Sequence, residues 1–217
     1  MFGQVCTVAT LTHPSTKTSL LEYATVTDDA VPPFMRPALK SKRLVNPIAS
    51  LAAIPTGSDL ANAFLKAHND YRAAHKTPAL AWDDTLAAAA DAYASKCVYA
   101  HDADRGAGIG ENIYASGSSQ PLSATDVSWG GASTTAWYNE IKDWNFATSA
   151  SKGGVTGHFT QVVWKASTKL GCGVASCPGM LMANSIFVVC RYSPQGNFKC
   201  PTCTPPSTYD LNVLPKK

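Results

Sequence analysis

Apolar positions begin to recur at helical spacing from residue 58. Ser58 is suited to cap a helix in which Leu60, Phe64, Leu65, Ala67 and Tyr71 share one broad face. In WDDTLAAAADAYASKC (82–97), Asp83 is the expected N-cap and Leu86, Ala90, Tyr93 and Cys97 form a stripe. The alanines of that segment let a helix backbone come close to a sheet. A third helix is expected in GASTTAWYNEIKDW (131–144), after the Gly130-Gly131 break. The period then shortens. Leu170–Val174 and Ile186–Tyr192 are rich in β-branched and aromatic residues, are separated by Pro178-Gly179, and are predicted to be strands. Helices first and strands later, without repeated βαβ alternation, predict an α+β layered domain rather than a doubly wound sheet.

The flanks carry no such pattern. Residues 1–57 hold PPF (32–34), KSKR (40–43) and PIASLAAIP (47–55), and are read as a largely irregular extension with a short strand near Val5–Leu11. KSKR in this setting is a solvated cluster rather than a nucleic-acid or processing signal. The patterned domain spans 58–198, and the Pro-rich tail 199–217 is expected to be irregular.

Composition narrows the function classes. Only 15% of the 217 residues are charged and 45% are apolar, which excludes a disordered polyelectrolyte. A formal net charge of +3 is too small to argue for nucleic acid or an anionic membrane surface as partner. No apolar run approaches the ~20 residues of a membrane-spanning helix. Five of the seven cysteines crowd residues 172–203, at spacings unlike paired zinc knuckles. A disulfide framework in a secreted protein fits them better than buried cytosolic thiols, and the odd count leaves Cys6 as the expected orphan. The opening MFGQVCTVATLTHP lacks the basic and apolar regions of a signal peptide, so export implies that one has been removed.

No Walker loop, dinucleotide fingerprint, nucleophile elbow or H-E-x-x-H zinc motif occurs. Attention therefore falls on scarce residues. The chain has three glutamates against twelve aspartates, and five histidines. Glu111 lies in GENIYA, Glu140 in WYNEI, His158 in GHFTQVVW, and His101 follows Cys97 by four. Two imidazoles and two carboxylates suit a divalent metal such as Zn²⁺, although their spacing alone does not bring them together. His68 and His75, two turns apart on the first helix, also invite a metal reading. His68 is instead expected in the core and His75 at a fraying helix end.

Taken in order, HNDYRAAH (68–75), LAWDDTLAAAADAYA (80–94), GENIYA (110–115), GHFTQVVW (157–164) and FVVCRYSPQGN (187–197) resemble the blocks of the CAP superfamily. The superfamily is named for cysteine-rich secretory proteins, antigen 5 and pathogenesis-related class one proteins. The likeness covers about residues 60–198, and the strings around WYNEI and TGHFTQVVW look most like secreted fungal and plant members.

The resemblance implies a three-layer α-β-α sandwich with His101, Glu111, Glu140 and His158 gathered in a central cleft as a divalent-metal site, zinc being the expected ion. It implies disulfides Cys97–Cys177 and Cys172–Cys190, worth ~4.5 and ~3 kcal/mol in the chain-entropy picture, and leaves Cys200 and Cys203 unassigned. It implies a secreted, extracellular protein that binds a small hydrophobic ligand, a fatty acid or a sterol. The sterol would lie against the loop 143–157, where Trp144 and Phe146 keep an aromatic pair but ATSASKGG replaces the usual Pro-Gly-aromatic element. Simple packing of that pair on the core is the competing reading. Catalysis is not expected. A metal-dependent hydrolase and a protein-binding defence or virulence module are the alternatives.

Overall fold

Ser58 and Asp83 start the first two helices as their side chains predict. The Ser58 hydroxyl accepts the Ala61 amide at 3.2 Å, and the Asp83 carboxylate accepts those of Thr85 and Leu86 at 3.0 Å. The protein is described here by a computed structural model that covers residues 53–198 and 208–217. The expected strand near Val5–Leu11, the KSKR cluster, Cys6, Cys200 and Cys203 lie outside these residues.

Along the chain come α1 (Asp59–Ala74), β1 (Ala81–Trp82), α2 (Asp84–Ala94), β2 (Gly110–Ser118) and α3 (Ser128–Tyr138). A 3-10 helix (Asn139–Asp143), the small hairpin β3 (Trp144–Asn145) and β4 (Ala150–Ser151), and α4 (Gly157–Val162) follow. The domain closes with β5 (Lys169–Ser176), β6 (Asn184–Ser193) and α5 (Thr208–Asn212). The main sheet has the order β1-β5-β6-β2, with β1 parallel to β5 and the other pairs antiparallel.

Both faces of this sheet are buried, and the period of two along β6 shows how. Ile186, Val188, Cys190 and Tyr192 join Phe64 of α1, Trp137 of α3 and Phe159 of α4 in one core. The intervening Phe187 and Val189 pack with Ala90, Tyr93 and Ala94 of α2 in the other. The result is an α+β, three-layer α-β-α sandwich. Alanine-rich α2 lies directly on β5. A Cβ at Gly173 would sit 2.3 Å from the Asp91 Cα, so only glycine allows this approach. Cys172 and Cys190 face each other across β5 and β6 and form one disulfide, and Cys97–Cys177 ties the end of α2 to the end of β5. Among the described residues no helix is long and apolar enough to cross a membrane.

Four expectations need correction. First, the third helix starts at Ser128 and runs through Gly130 and Gly131. A side chain at Gly130 would meet the Phe64 amide nitrogen at 2.7 Å, so the glycine pair serves helix contact rather than helix termination. Second, the fully buried stripe of α1 is Ala61, Phe64, His68 and Arg72, with Leu60, Leu65 and Tyr71 of the expected face only partly buried against the core; His68 is in the core as expected, and Arg72 joins it because buried carbonyls meet its guanidinium. Third, His75 is fully buried, bonded to the Leu214 carbonyl and to the Tyr138 hydroxyl, instead of fraying. Fourth, the tail is not irregular throughout. It forms α5 and buries Val213, and its Asn212 carbonyl accepts the Lys165 amide at 3.0 Å.

Candidate functional site

The four proposed site residues come from four separate segments of the chain. His101 lies in the loop after α2, Glu111 is the second residue of β2, Glu140 lies in the 3-10 helix, and His158 is the second residue of α4. The fold gathers them as two His–Glu pairs. His101 Nδ1 lies 2.9 Å from Glu111 Oε1, and His158 Nδ1 lies 2.6 Å from Glu140 Oε1. The two imidazole rings face each other, centroids 6.4 Å apart and planes within 26°.

The glutamates are engaged by more than the histidines. The Glu111 side chain is wholly buried. It accepts the Asp102 amide at 3.0 Å and has Arg191, its partner across the β2–β6 ladder, at 3.6 Å. Arg191 also pairs with Asp102, so the carboxylate latches the His101 loop to the edge of the sheet. Glu140 Oε2 accepts the amides of His158 and Phe159 at 2.9 and 3.1 Å, capping the first turn of α4 with a negative charge where exposed N–H groups favour one.

A carboxylate oxygen accepts, so each histidine donates from Nδ1, and among the described residues neither Nε2 has a hydrogen-bond partner. The imidazoles are 33% and 20% exposed, enough to reach a solvent-borne ligand. Imidazoles oriented through Nδ1 by carboxylates are typical of metal ligands. Among the described residues no group of three or more His, Cys, Asp and Glu side chains is placed to hold a metal ion. Glu111 and Glu140 are turned onto backbone amides and imidazole nitrogens. That leaves the two Nε2 atoms as the imidazole nitrogens without a hydrogen-bond partner among the described residues.

Sequence reasoning missed the supports of this site. Trp137 stacks on His158 at 6.4 Å and 17°, its indole N–H donating to the Ile113 carbonyl at 2.9 Å. Asn112 donates to the His158 carbonyl at 3.1 Å and to the Tyr192 hydroxyl at 3.2 Å. Tyr192 in turn donates to His68 Nε2 at 2.8 Å, so a buried hydrogen-bond chain runs from the site into the core. The only available signal was that Asn112 adjoins Glu111 in GENIYA.

The aromatic pair of the 143–157 loop points inward. Trp144 is buried against Phe159 and Tyr209, and half-buried Phe146 packs on His75 and Phe159. A shallow groove of about 300 Å³ runs between α1 and α3, lined by Ala63, Ala67, Val127 and Gly131, with Lys66 and Asp70 among its walls.

Comparison with known proteins follows this geometry. Residues 65–192 match the model of the cysteine-rich secretory protein family, CAP. Mouse peptidase inhibitor 16 is 39% identical over 144 residues, which is 61% of this chain and 27% of that protein. Bovine GLIPR1-like protein 1 is 34% identical over 148 residues, 62% of this chain and 58% of the relative. The chain thus spans less than two thirds of these curated relatives, and they are mammalian rather than the fungal and plant members to which the motif strings were likened. The crystal structure of NaASP2 with Zn²⁺ superposes with a TM-score of 0.53 at 27% identity, over 66% of this chain and 85% of that one. With its family model matched over more than half its length, the chain belongs to the cysteine-rich secretory protein (CAP) family.

Proposed function

We propose that this chain is an extracellular CAP module that holds a divalent metal, zinc, between His101 and His158 and carries a small hydrophobic ligand. The observation that carries the reading is the pair of imidazoles fixed through Nδ1 to Glu111 and Glu140, with neither Nε2 hydrogen-bonded among the described residues. The related NaASP2 structure is one with Zn²⁺, which supports the choice of ion. When bound, the metal supplies a positive centre for water or an acidic group. The chain's own residues orient the imidazoles, and Trp137 and Asn112 keep His158 in register.

Of the two ligand classes, the fatty acid has more support. The groove between α1 and α3 offers small apolar walls for a chain, and at its rim Lys66, paired with Asp70 at 2.6 Å, is the cation that a fatty-acid carboxylate would take over. The sterol reading is weaker, because Trp144 and Phe146 are occupied with the core. Two disulfides support an oxidising compartment. A hydrolase would need a general base free to take a proton; Glu140 is committed through both oxygens to amides and an imidazole, and Glu111, held through Oε1, has its Oε2 buried beside Arg191, which favours a binding module.

Purified protein is expected to hold a labelled C16 fatty acid against aqueous partition, with retention at least tenfold lower in Lys66→Glu. Calorimetry with Zn²⁺ is expected to show binding that disappears in His101→Ala/His158→Ala. No retention at saturating protein contradicts the lipid reading, and an unchanged zinc isotherm contradicts the metal reading.

A further inference from the structure

Away from the His–Glu pairs, a second cavity of about 300 Å³ opens beside the start of α1, the middle of α2, β5 and the loop entering α3. Its wall is largely apolar, built from Ile54, Leu60, Ala124, Val127 and Val174. Two acids line it, exposed Asp59 at the start of α1 and Asp91 on α2. Asp91 is only 6% exposed, and neither a hydrogen-bond donor nor a cation meets its carboxylate among the described residues.

The other buried acid among the described residues, Glu111, is met through Oε1 by an amide and an imidazole and has the Arg191 guanidinium at 3.6 Å, while its Oε2 makes no hydrogen bond. The Asp91 carboxylate has neither kind of partner among the described residues and opens onto the cavity it lines, where partial removal from water disfavours its charge. Nothing in α2 requires the acid. Its neighbours on the helix are mostly alanines, and its backbone is held against Gly173 whatever side chain it bears. Burial pushes the Asp91 carboxyl upward from the ordinary aspartate range, as expected of an acid lacking a counter-charge.

We propose that this cavity is a binding site for a small organic amine, its ammonium group donating to Asp91 and its hydrocarbon body lying against Ile54, Leu60, Val127 and Val174. A cation relieves the buried carboxylate more than a neutral donor does, because a charge-assisted hydrogen bond in an apolar wall is stronger than a neutral one. The volume falls at the small end of the ~300–1,000 Å³ usual for ligand sites, which suits an alkyl or aryl-alkyl amine. The Asp91 carboxylate repels a fatty-acid headgroup, whereas the acid of the α1–α3 groove, Asp70, is paired with Lys66, so the two sites differ in chemistry even though Val127 borders both.

The test is calorimetric titration of the full chain with n-hexylamine and 2-phenylethylamine, beside 2-phenylethanol and 3-phenylpropionate as neutral and anionic matches. At least one amine is expected to bind saturably, at least tenfold more tightly than the alcohol, with no binding of the acid. In Asp91→Asn the amine affinity is expected to fall at least tenfold while the zinc isotherm stays unchanged. The melting temperature of ligand-free Asp91→Asn is expected to equal or exceed that of the wild type, since no partner is lost. Absence of saturable binding by both amines, equal binding of the acid, or undiminished amine binding in Asp91→Asn overturns the proposal. A lower melting temperature in that variant does so too, because it assigns Asp91 a structural role.

Discussion

Replacing Arg72 by alanine is expected to lower the unfolding free energy by about 5 kcal/mol, read as a shift of the urea midpoint. The guanidinium is fully buried near the end of α1 and meets no carboxylate. It donates to four carbonyls: Nε to Pro78 at 2.8 Å, Nη1 to Val162 and Trp164 at 3.0 and 2.8 Å, and Nη2 to Ser167 at 2.7 Å. Burial draws its pKa down to about 10, which leaves it charged at neutral pH. Alanine removes every donor at once. Each carbonyl left dry costs roughly 1–3 kcal/mol, and the vacated volume adds a cavity. The residues it holds lead out of α4, which carries His158, so zinc affinity is expected to fall along with stability. Arg72→Met keeps most of the volume and is expected to recover only the cavity part. A loss below about 1 kcal/mol in the alanine variant contradicts this role.

Acid is expected to weaken the fold well before the carboxylates protonate. His68 is fully buried in α1, donating from Nδ1 to the Phe64 carbonyl and accepting the Tyr192 hydroxyl on Nε2. Desolvation lowers its pKa to about 4, with the Arg72 charge acting in the same direction. The unfolded chain takes up that proton near the ordinary value of 6.5, so below it the unfolded state binds more protons than the folded one. The stabilising contribution is therefore complete above pH 6.5 and is lost as the pH falls toward 4, by about 3 kcal/mol. His75, lowered chiefly by its own burial, adds a loss of the same sign. Denaturant unfolding at intervals between about pH 7 and 4 checks the slope, and His68→Gln is expected to flatten it. A profile already flat in the wild type contradicts the neutral, buried imidazole.

Arg72 also shows where the sequence stops being legible, whereas His68 lies in the core as expected. On α1 the apolar spacing pointed to a broad face, yet its most buried positions include His68 and Arg72. Their partners come from Tyr192 and from residues 162–167, at sequence separations that no local pattern encodes. α2, β5 and β6 were legible because an aspartate cap, an alanine body and β-branched alternation act within a few residues. β2 was not, since GENIYASGS is rich in glycine and serine and becomes a strand by pairing with β6 along its whole length. At the site, scarcity and motif context named His101, Glu111, Glu140 and His158. What they do was hidden, because Glu140 acts as a helix cap and Glu111 as a loop latch, and both roles depend on amides placed by the fold. The disulfides Cys97–Cys177 and Cys172–Cys190 followed from the family resemblance and are both formed.

The most direct measurement is long-range ¹H–¹⁵N NMR of the imidazoles, before and after Zn²⁺ is added. His101 and His158 are expected to be Nδ1–H tautomers in the free protein, and Zn²⁺ is expected to shift their Nε2 resonances while leaving those of His68 and His75 in place. A proton found on Nε2 of either site histidine in the free protein, or Nε2 signals unmoved at saturating zinc, contradicts a metal held between two glutamate-oriented imidazoles.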